Sequence, residues 1–220
     1  MGRVEFDTEH FQLLIYSHII TYGNAADPAI TENIREEIET MWNEPQAIIN
    51  LKGIEYRVIF RITASFEPTI TPIDIYQNLD PRNNYFRIEE FAYGNISFVD
   101  GIKCNSGYFK LENLYKGSTT AAHEYGHTLG LVHPTDLDIR GKAVPGIMYP
   151  RGTLVDPQYQ YDPDKPAGTK GGTMHPMFRK VRQEDIELLH FQKLHFENEM
   201  AIIGEFSSVR HDEHLPGQAS

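Results

Sequence analysis

Residues 123–133 read HEYGHTLGLVH, and this stretch is the strongest indication of the fold in the chain. Its pattern is H-E-x-x-H-x-x-G-x-x-H. On a helix, His123 and His127 project from one face about one turn apart, so two ring nitrogens can bind one ion at roughly 2.0–2.1 Å. Gly130 permits a left-handed turn out of the helix, which brings His133 back as a third ligand. We therefore predict a zinc site with these three ligands.

Glu124 follows the first of these histidines directly, where its carboxylate can meet a fourth, water-filled coordination position. A carboxylate in that place can act as a general base toward water. The short string H-E-x-x-H also occurs on ordinary amphipathic helices and is weak evidence alone. The added Gly130 and His133 make a chance match much rarer. We predict one catalytic Zn²⁺ ion, with Glu124 as the catalytic residue.

A second motif, GIMYP at residues 146–150, follows the zinc string. The two motifs together resemble the signature of the metzincin zinc metalloproteases, and they are most similar to the matrixin (matrix-metalloprotease-like) branch. The resemblance implies that the three histidines bind zinc and that Glu124 is the general base. It also implies that Met148 forms the hydrophobic floor beneath the metal, as a packing element and not as a ligand.

Several features depart from the family pattern. Pro150 stands where astacin-like and serralysin-like relatives place a zinc-binding Tyr, so Tyr149 is expected to line the cleft. The chain has no match to the matrixin structural-zinc and calcium loop, and calcium binding therefore has no support in the sequence. Residues 151–180 resemble an insertion before the last helix. These departures bear on substrate preference and calcium dependence.

The resemblance implies an α/β (α+β) fold of the metzincin-like zincin type, built as a single catalytic domain over residues 1–220. A twisted mixed β-sheet, a backing helix and the active-site helix would form an upper lobe at about 1–131. A less regular lower lobe at about 132–206 would carry the Met-turn and a C-terminal helix. The polar tail at 207–220 is expected to be mobile.

Local patterns predict where the elements lie. Residues 10–22 are apolar on both alternating faces, which indicates a buried central strand. An Asp-Pro pair at 27–28 predicts a helix start, and apolar residues follow at helical spacing as far as Trp42. Residues 54–64 alternate as a half-buried strand does. Further predictions are strands at 47–51, 92–99 and 108–111, the zinc helix from Ser118 or Thr119 to about 131, and a last substantial helix at 182–196.

The amino-acid composition limits the classes of partner that the chain is expected to bind. The formal net charge of −11 argues against a nucleic-acid partner. The short cationic cluster at 179–182 is explained as the solvated start of a helix. No apolar run reaches the roughly 18–20 residues of a membrane helix. The first residues lack the layout of a signal peptide, so the compartment stays open, including export by another route. Cys104 is interpreted as a bystander thiol, and a monomer is the default.

The sequence thus predicts a zinc-dependent endopeptidase that acts on a protein or peptide substrate. Two alternatives stay open. One is a protease-like binding module that holds zinc without cleaving, although such a module has no need of Glu124. The other is a zinc hydrolase of a different amide or ester, which activity on small acyl substrates would separate from a peptidase.

Overall fold

A computed structural model describes residues 1–142, 144–207 and 209–216. The elements follow the chain as β1 Gly2–Asp7, β2 Gln12–Tyr22, α1 Pro28–Asn43, β3 Ile48–Leu51, β4 Ile54–Phe66, α2 Pro72–Tyr76, β5 Asn83–Glu89, β6 Phe98–Val99, β7 Ser106–Lys110, α3 Thr120–Thr128, α4 Gln183–Glu187 and β8 Met200–Ile203. None of the helices in these ranges combines the length and the apolar character that a membrane span requires.

The strands form one mixed sheet in the order β3-β4-β2-β5-β7-β6, with β1 and β8 joined to it through β2. Strand β2 is central because it pairs in parallel with both β4 and β5 and antiparallel with β1. Its side chains Leu13, Ile15 and Ile19 are fully buried. These three side chains project from one face of the strand, and Leu14 and Tyr16 on the opposite face are half-buried, so burial of the two faces is unequal. The predicted α/β architecture with a mixed sheet is confirmed.

Helix α1 covers the sheet and supports α3. The Asp27 side chain accepts a hydrogen bond from the Ile30 N–H at 2.7 Å, and Pro28 occupies the first turn. Ile38 and Trp42 are buried, and the Trp42 indole N–H donates to the Ala122 carbonyl of α3 at 3.1 Å. Burial of each such side chain contributes about 1.5–3 kcal/mol. The predicted backing helix is therefore present and holds α3 in place.

The predicted strand at 92–99 is wrong over most of its length. Residues Tyr93–Asn95 form a 3₁₀ turn, and only Phe98–Val99 pair with β7 as β6. Gly94 and Asn95 have φ of 70° and 59°, which is left-handed and interrupts extended backbone. Gly and Asn are the residues that adopt left-handed backbone most readily, so this pair is a local turn signal within the apolar pattern.

The predicted last helix at 182–196 is also much shorter in the structure. It consists of α4 Gln183–Glu187 and a separate 3₁₀ turn at Phe191–Lys193. His190 between them has φ of 50°, so the helical backbone stops there. Leu189 and Phe191 are both buried in the main core. In a straight helix these two side chains would point about 200° apart. The turn at His190 lets both of them reach the core.

Part of the predicted tail contacts the sheet. The His214 ring stacks on the Tyr108 ring with centroids 3.9 Å apart. The Arg87 guanidinium of β5 donates from Nη1 to the His211 carbonyl at 3.0 Å. Residues 209–216 therefore lie against the sheet, whereas the rest of the predicted tail, residues 208 and 217–220, lies outside the described residues.

Candidate metal centre

Three imidazole nitrogens converge at the end of α3. The Nε2 atom of His133 lies 3.0 Å from Nε2 of His123 and 3.1 Å from Nε2 of His127. Nitrogen ligands of a tetrahedral zinc ion, each at about 2.0–2.1 Å from the metal, are about 3.3–3.4 Å apart. The three predicted ligands thus form a group whose size fits one zinc ion.

The local sequence explains how the ligands come together. His123 and His127 lie four residues apart on α3, so both face the same side of the helix. Gly130 has φ of 107°, the positive φ that the sequence predicts for it. The Leu131 N–H bonds back to the Gly126 carbonyl at 3.0 Å, which closes the turn after α3. His133 follows two residues later and returns over the other two rings.

Backbone carbonyls hold two of the rings in a defined orientation. Nδ1 of His123 lies 2.7 Å from the Ile147 carbonyl oxygen, and Nδ1 of His127 lies 2.8 Å from the Leu131 carbonyl oxygen. A carbonyl only accepts, so each Nδ1 carries the proton and donates it. Each Nε2 then keeps a free lone pair that points to the centre of the group. Partners of this kind fix the tautomer of histidines that ligate metals.

The surroundings keep the three rings neutral. Burial lowers the pKa of His123 well below its ordinary value, and the Arg179 guanidinium adds to the shift. Burial also lowers the pKa of His127 and of His133. A neutral imidazole is the form that binds a metal ion. Protons therefore compete only weakly with a metal ion for these nitrogens at neutral pH.

Glu124 faces the same cavity as the histidines. It is 7% exposed and, with His123 and His133, lines a cavity of about 230 Å³. Burial raises the pKa of Glu124 to about 8, although the Arg179 guanidinium acts in the opposite direction. A divalent cation bound nearby would also lower this pKa, because it favours the ionised carboxylate. The arrangement can therefore place a proton acceptor beside a metal-binding group.

Arg179 is the site residue that the sequence analysis missed. It is 4% exposed, and its Nε donates to the Thr119 hydroxyl at 2.8 Å. Its Nη1 lies 2.9 Å from Nδ1 of His123 and 3.3 Å from the Tyr149 carbonyl. The interpretation of 179–182 as a solvated helix start is wrong for this residue. No motif identified it, because a short run of cationic residues does not report which of them is buried.

Met148 and Tyr149 occupy different surroundings. Met148 is buried and its side chain contacts α3 at Gly126. Tyr149 is half-buried and packs against a second apolar cluster that includes Val155 and Met174. The residues after it, Pro150 and Arg151, line the cavity beside Glu124.

Comparisons with known proteins give a distant likeness. No family model and no curated protein matches the chain. Among solved structures, an archaemetzincin from Methanopyrus kandleri is 11% identical, with a TM-score of 0.42 over 80% of this chain and 95% of that one. Myroilysin is 15% identical, with a TM-score of 0.29 over 59% of this chain and 54% of that one. At TM-scores below 0.5 neither likeness bears on the chemistry of the site.

Proposed function

We propose that this chain is a zinc-dependent endopeptidase of the metzincin type, with a zinc motif most similar to that of the matrixin branch. One observation carries the proposal: the Nε2 atoms of His123 and His127 each lie 3.0–3.1 Å from Nε2 of His133, and Glu124 lines the same cavity. His123, His127 and His133 would hold the metal. When bound, zinc supplies Lewis acidity that activates water and polarises a carbonyl group.

Glu124 performs the proton transfers in this proposal. Its carboxylate accepts a proton from the attacking water and later delivers it to the leaving amine, so that water and peptide become an acid and an amine. General acid–base assistance of this kind contributes about 10²–10⁴-fold to the rate. Low exposure of Glu124 and His123 limits the access of bulk water, which strengthens electrostatic interactions in the cavity.

The edge of the sheet suggests how a peptide would lie. Strand β6 ends the strand order, and Ile96 and Ser97, directly before it, line the cavity beside Glu124. An extended peptide can add to a sheet edge through main-chain hydrogen bonds. We propose that the substrate extends along β6, which brings one of its peptide groups past the three histidines.

Cleavage of a degenerate peptide library, read by mass spectrometry, tests the proposal. Zinc-loaded wild type and Glu124→Ala are compared at matched zinc content, so that metal loss cannot imitate loss of the base. We expect cuts by wild type and a loss of about 10²–10⁴-fold in the variant. Equal activity of the two proteins would remove Glu124 from its assigned role.

The same assay separates the two alternatives. A folded, zinc-loaded wild type that cuts no peptide but hydrolyses small acyl esters or amides would indicate another zinc hydrolase. A protein that holds zinc and does neither would indicate a binding module.

A further inference from the structure

The cavity beside Glu124 is lined by two guanidinium groups. Arg179 lies at its buried side, and Arg151 lies exposed at its mouth. Nη2 of Arg151 donates to the Asn113 side-chain oxygen at 3.0 Å, which turns this long side chain back along the cavity wall. Two cations on the wall of one small cavity need an explanation, because like charges repel and burial of Arg179 is unfavourable.

Neither arginine has a carboxylate within 4.0 Å in the described part of the chain, and the charges of Glu124 and Glu37 act on Arg179 from a longer distance. Ion pairs within 4.0 Å involve other arginines, such as Arg35, Arg87 and Arg140, and do not include Arg151 or Arg179. Arg179 is instead held by neutral acceptors, the Thr119 hydroxyl and the Ser118 and Tyr149 carbonyls. A buried cation usually has a carboxylate partner.

Thr120 adds an unused hydrogen-bonding group to the same cavity wall. It is the first residue of α3, is 5% exposed and lines the cavity with the two arginines. Its Oγ1 atom is buried and has no hydrogen-bond partner among the described residues. A buried hydroxyl without a partner is unfavourable, so a ligand atom that accepts its proton would relieve this cost.

We propose that this cavity binds a carboxylate of the substrate, through Arg151, Arg179 and the Thr120 hydroxyl. The inference rests on the proposed peptidase function and adds a substrate class to it. Guanidinium groups bind carboxylates in a planar, bidentate geometry, and the hydrogen bonds are charge-assisted. The carboxylate belongs either to an Asp or Glu side chain next to the cleaved bond or to the C-terminus of the peptide.

The charge of the whole chain strengthens the argument for a local site. With a formal net charge of −11, the protein does not attract acidic peptides over long distances. Selection of a carboxylate must therefore come from the groups that touch it. Glu124 is the carboxylate that lines this cavity, and it is assigned to the proton transfers. The two arginines are therefore available to bind the substrate.

Matched peptides test the inference. Each pair differs by Glu or Gln at one position beside the cleaved bond, and a second set ends in either a free carboxylate or an amide. The proteins are wild type, Arg151→Gln and a control, Arg57→Gln, whose arginine is exposed on β4. A charge-assisted hydrogen bond contributes about 1.5–3 kcal/mol, so we expect wild type to prefer the carboxylate by about 10–100-fold in kcat/KM.

Arg151→Gln should bring the ratio for Glu over Gln close to one, and Arg57→Gln should leave it unchanged. Arg151→Glu should reverse the preference toward Lys at the same position. The set of peptides that responds identifies the source of the carboxylate as an acidic side chain or as the C-terminus. Cleavage of all peptides at equal rates, with no effect of Arg151→Gln, would overturn the carboxylate site and leave the peptidase assignment intact.

A binding measurement removes the dependence on activity. The affinity of zinc-loaded Glu124→Gln for the same labelled peptides is measured by fluorescence anisotropy, with and without Arg151→Gln. We expect tighter binding of the carboxylate peptides and loss of the difference in the double variant. This result without any cleavage by wild type would keep the carboxylate site and overturn the peptidase. No difference in binding, whether or not wild type cleaves, would overturn the carboxylate site.

Discussion

Gly126 of α3 packs directly on Met148, and the contact leaves no room for a side chain on Gly126. A Cβ atom at Gly126 would overlap the Met148 sulfur and would also lie 3.2 Å from the Trp42 ring. Gly126 stands immediately before His127, so this contact fixes how closely α3 approaches the segment at 146–150. Ile147 in that segment accepts the hydrogen bond from His123, which depends on the same approach.

Gly126→Ala should therefore destabilise the protein although Ala is the better helix former. Ala gains about 0.5–1 kcal/mol of helix propensity. Overpacking of a filled core costs about 1–3 kcal/mol. The new methyl group would crowd the Met148 sulfur and the Trp42 ring, which both belong to the core. We expect a net loss of about 1 kcal/mol in the free energy of unfolding, measured by urea denaturation.

A double-mutant cycle with Met148→Ala identifies the cause of that loss. Removal of the Met148 side chain takes away the clash, so Gly126→Ala should be neutral or stabilising on that background. Gly152→Ala is the matched control, because nothing lies within 4 Å of its Cβ position. Additive effects of the two substitutions would show that the Gly126–Met148 contact does not limit the packing.

His127→Ala should remove the metal and the activity together. Two protein ligands would remain, fewer than the three of catalytic zinc sites. We expect the zinc content, measured by inductively coupled plasma mass spectrometry after desalting, to fall from about one ion per chain to near zero. His195→Ala is the control, because His195 is an exposed histidine outside the group. Full zinc retention in His127→Ala would contradict the ligand assignment.

Gly130→Ala should weaken zinc binding through the backbone. A non-glycine residue in the left-handed region costs about 1–2 kcal/mol, and a shift that relieves this strain would displace His133. We expect the dissociation constant for zinc, measured with a competing chelator, to rise about tenfold or more.

Gly117→Ala is the control for Gly130→Ala. Gly117 also has positive φ, 82°, and has open space around its Cβ position. It should lose similar stability and keep its zinc affinity. Equal zinc affinity in the Gly130 and Gly117 variants would mean that the turn does not position the third ligand.

Glu89→Gln should be one of the more damaging substitutions outside the metal centre. Glu89 is 3% exposed, and its carboxylate accepts from Nε of the buried Arg87 at 2.8 Å. Removal of one charge from a buried pair costs about 3–5 kcal/mol, since the other charge is left without a partner. Urea denaturation measures this loss.

Glu205→Gln is the matched control for Glu89→Gln. Glu205 lies 3.2 Å from Lys103 in an exposed pair, which contributes about 1 kcal/mol or less. A loss of the same size in the two variants would contradict the role of burial.

The accuracy of the sequence-based predictions depends on how local each feature is. Helix α1 follows from its Asp-Pro start and its apolar spacing, and β2 from apolar residues on both alternating faces. The shortened helix after Gln183 was not predictable in the same way, because the turn at His190 lets Leu189 and Phe191 both reach the core, and local periodicity carries no information about that core. The interruption before Val99 is local, since Gly94 and Asn95 are turn-forming residues and no residue of that turn is buried.

The same distinction between local and tertiary information applies to the candidate site. Eleven consecutive residues specify two candidate ligands on one helix face and the turn at Gly130, because helix geometry and the freedom of glycine at positive φ are local properties. Tertiary packing, in contrast, places Arg179 against His123, 56 residues away, and brings Arg151 and Thr120 to its cavity. Burial depends on which surfaces of the folded chain meet, and a buried cation next to a metal-binding group can be recognised only after they have met.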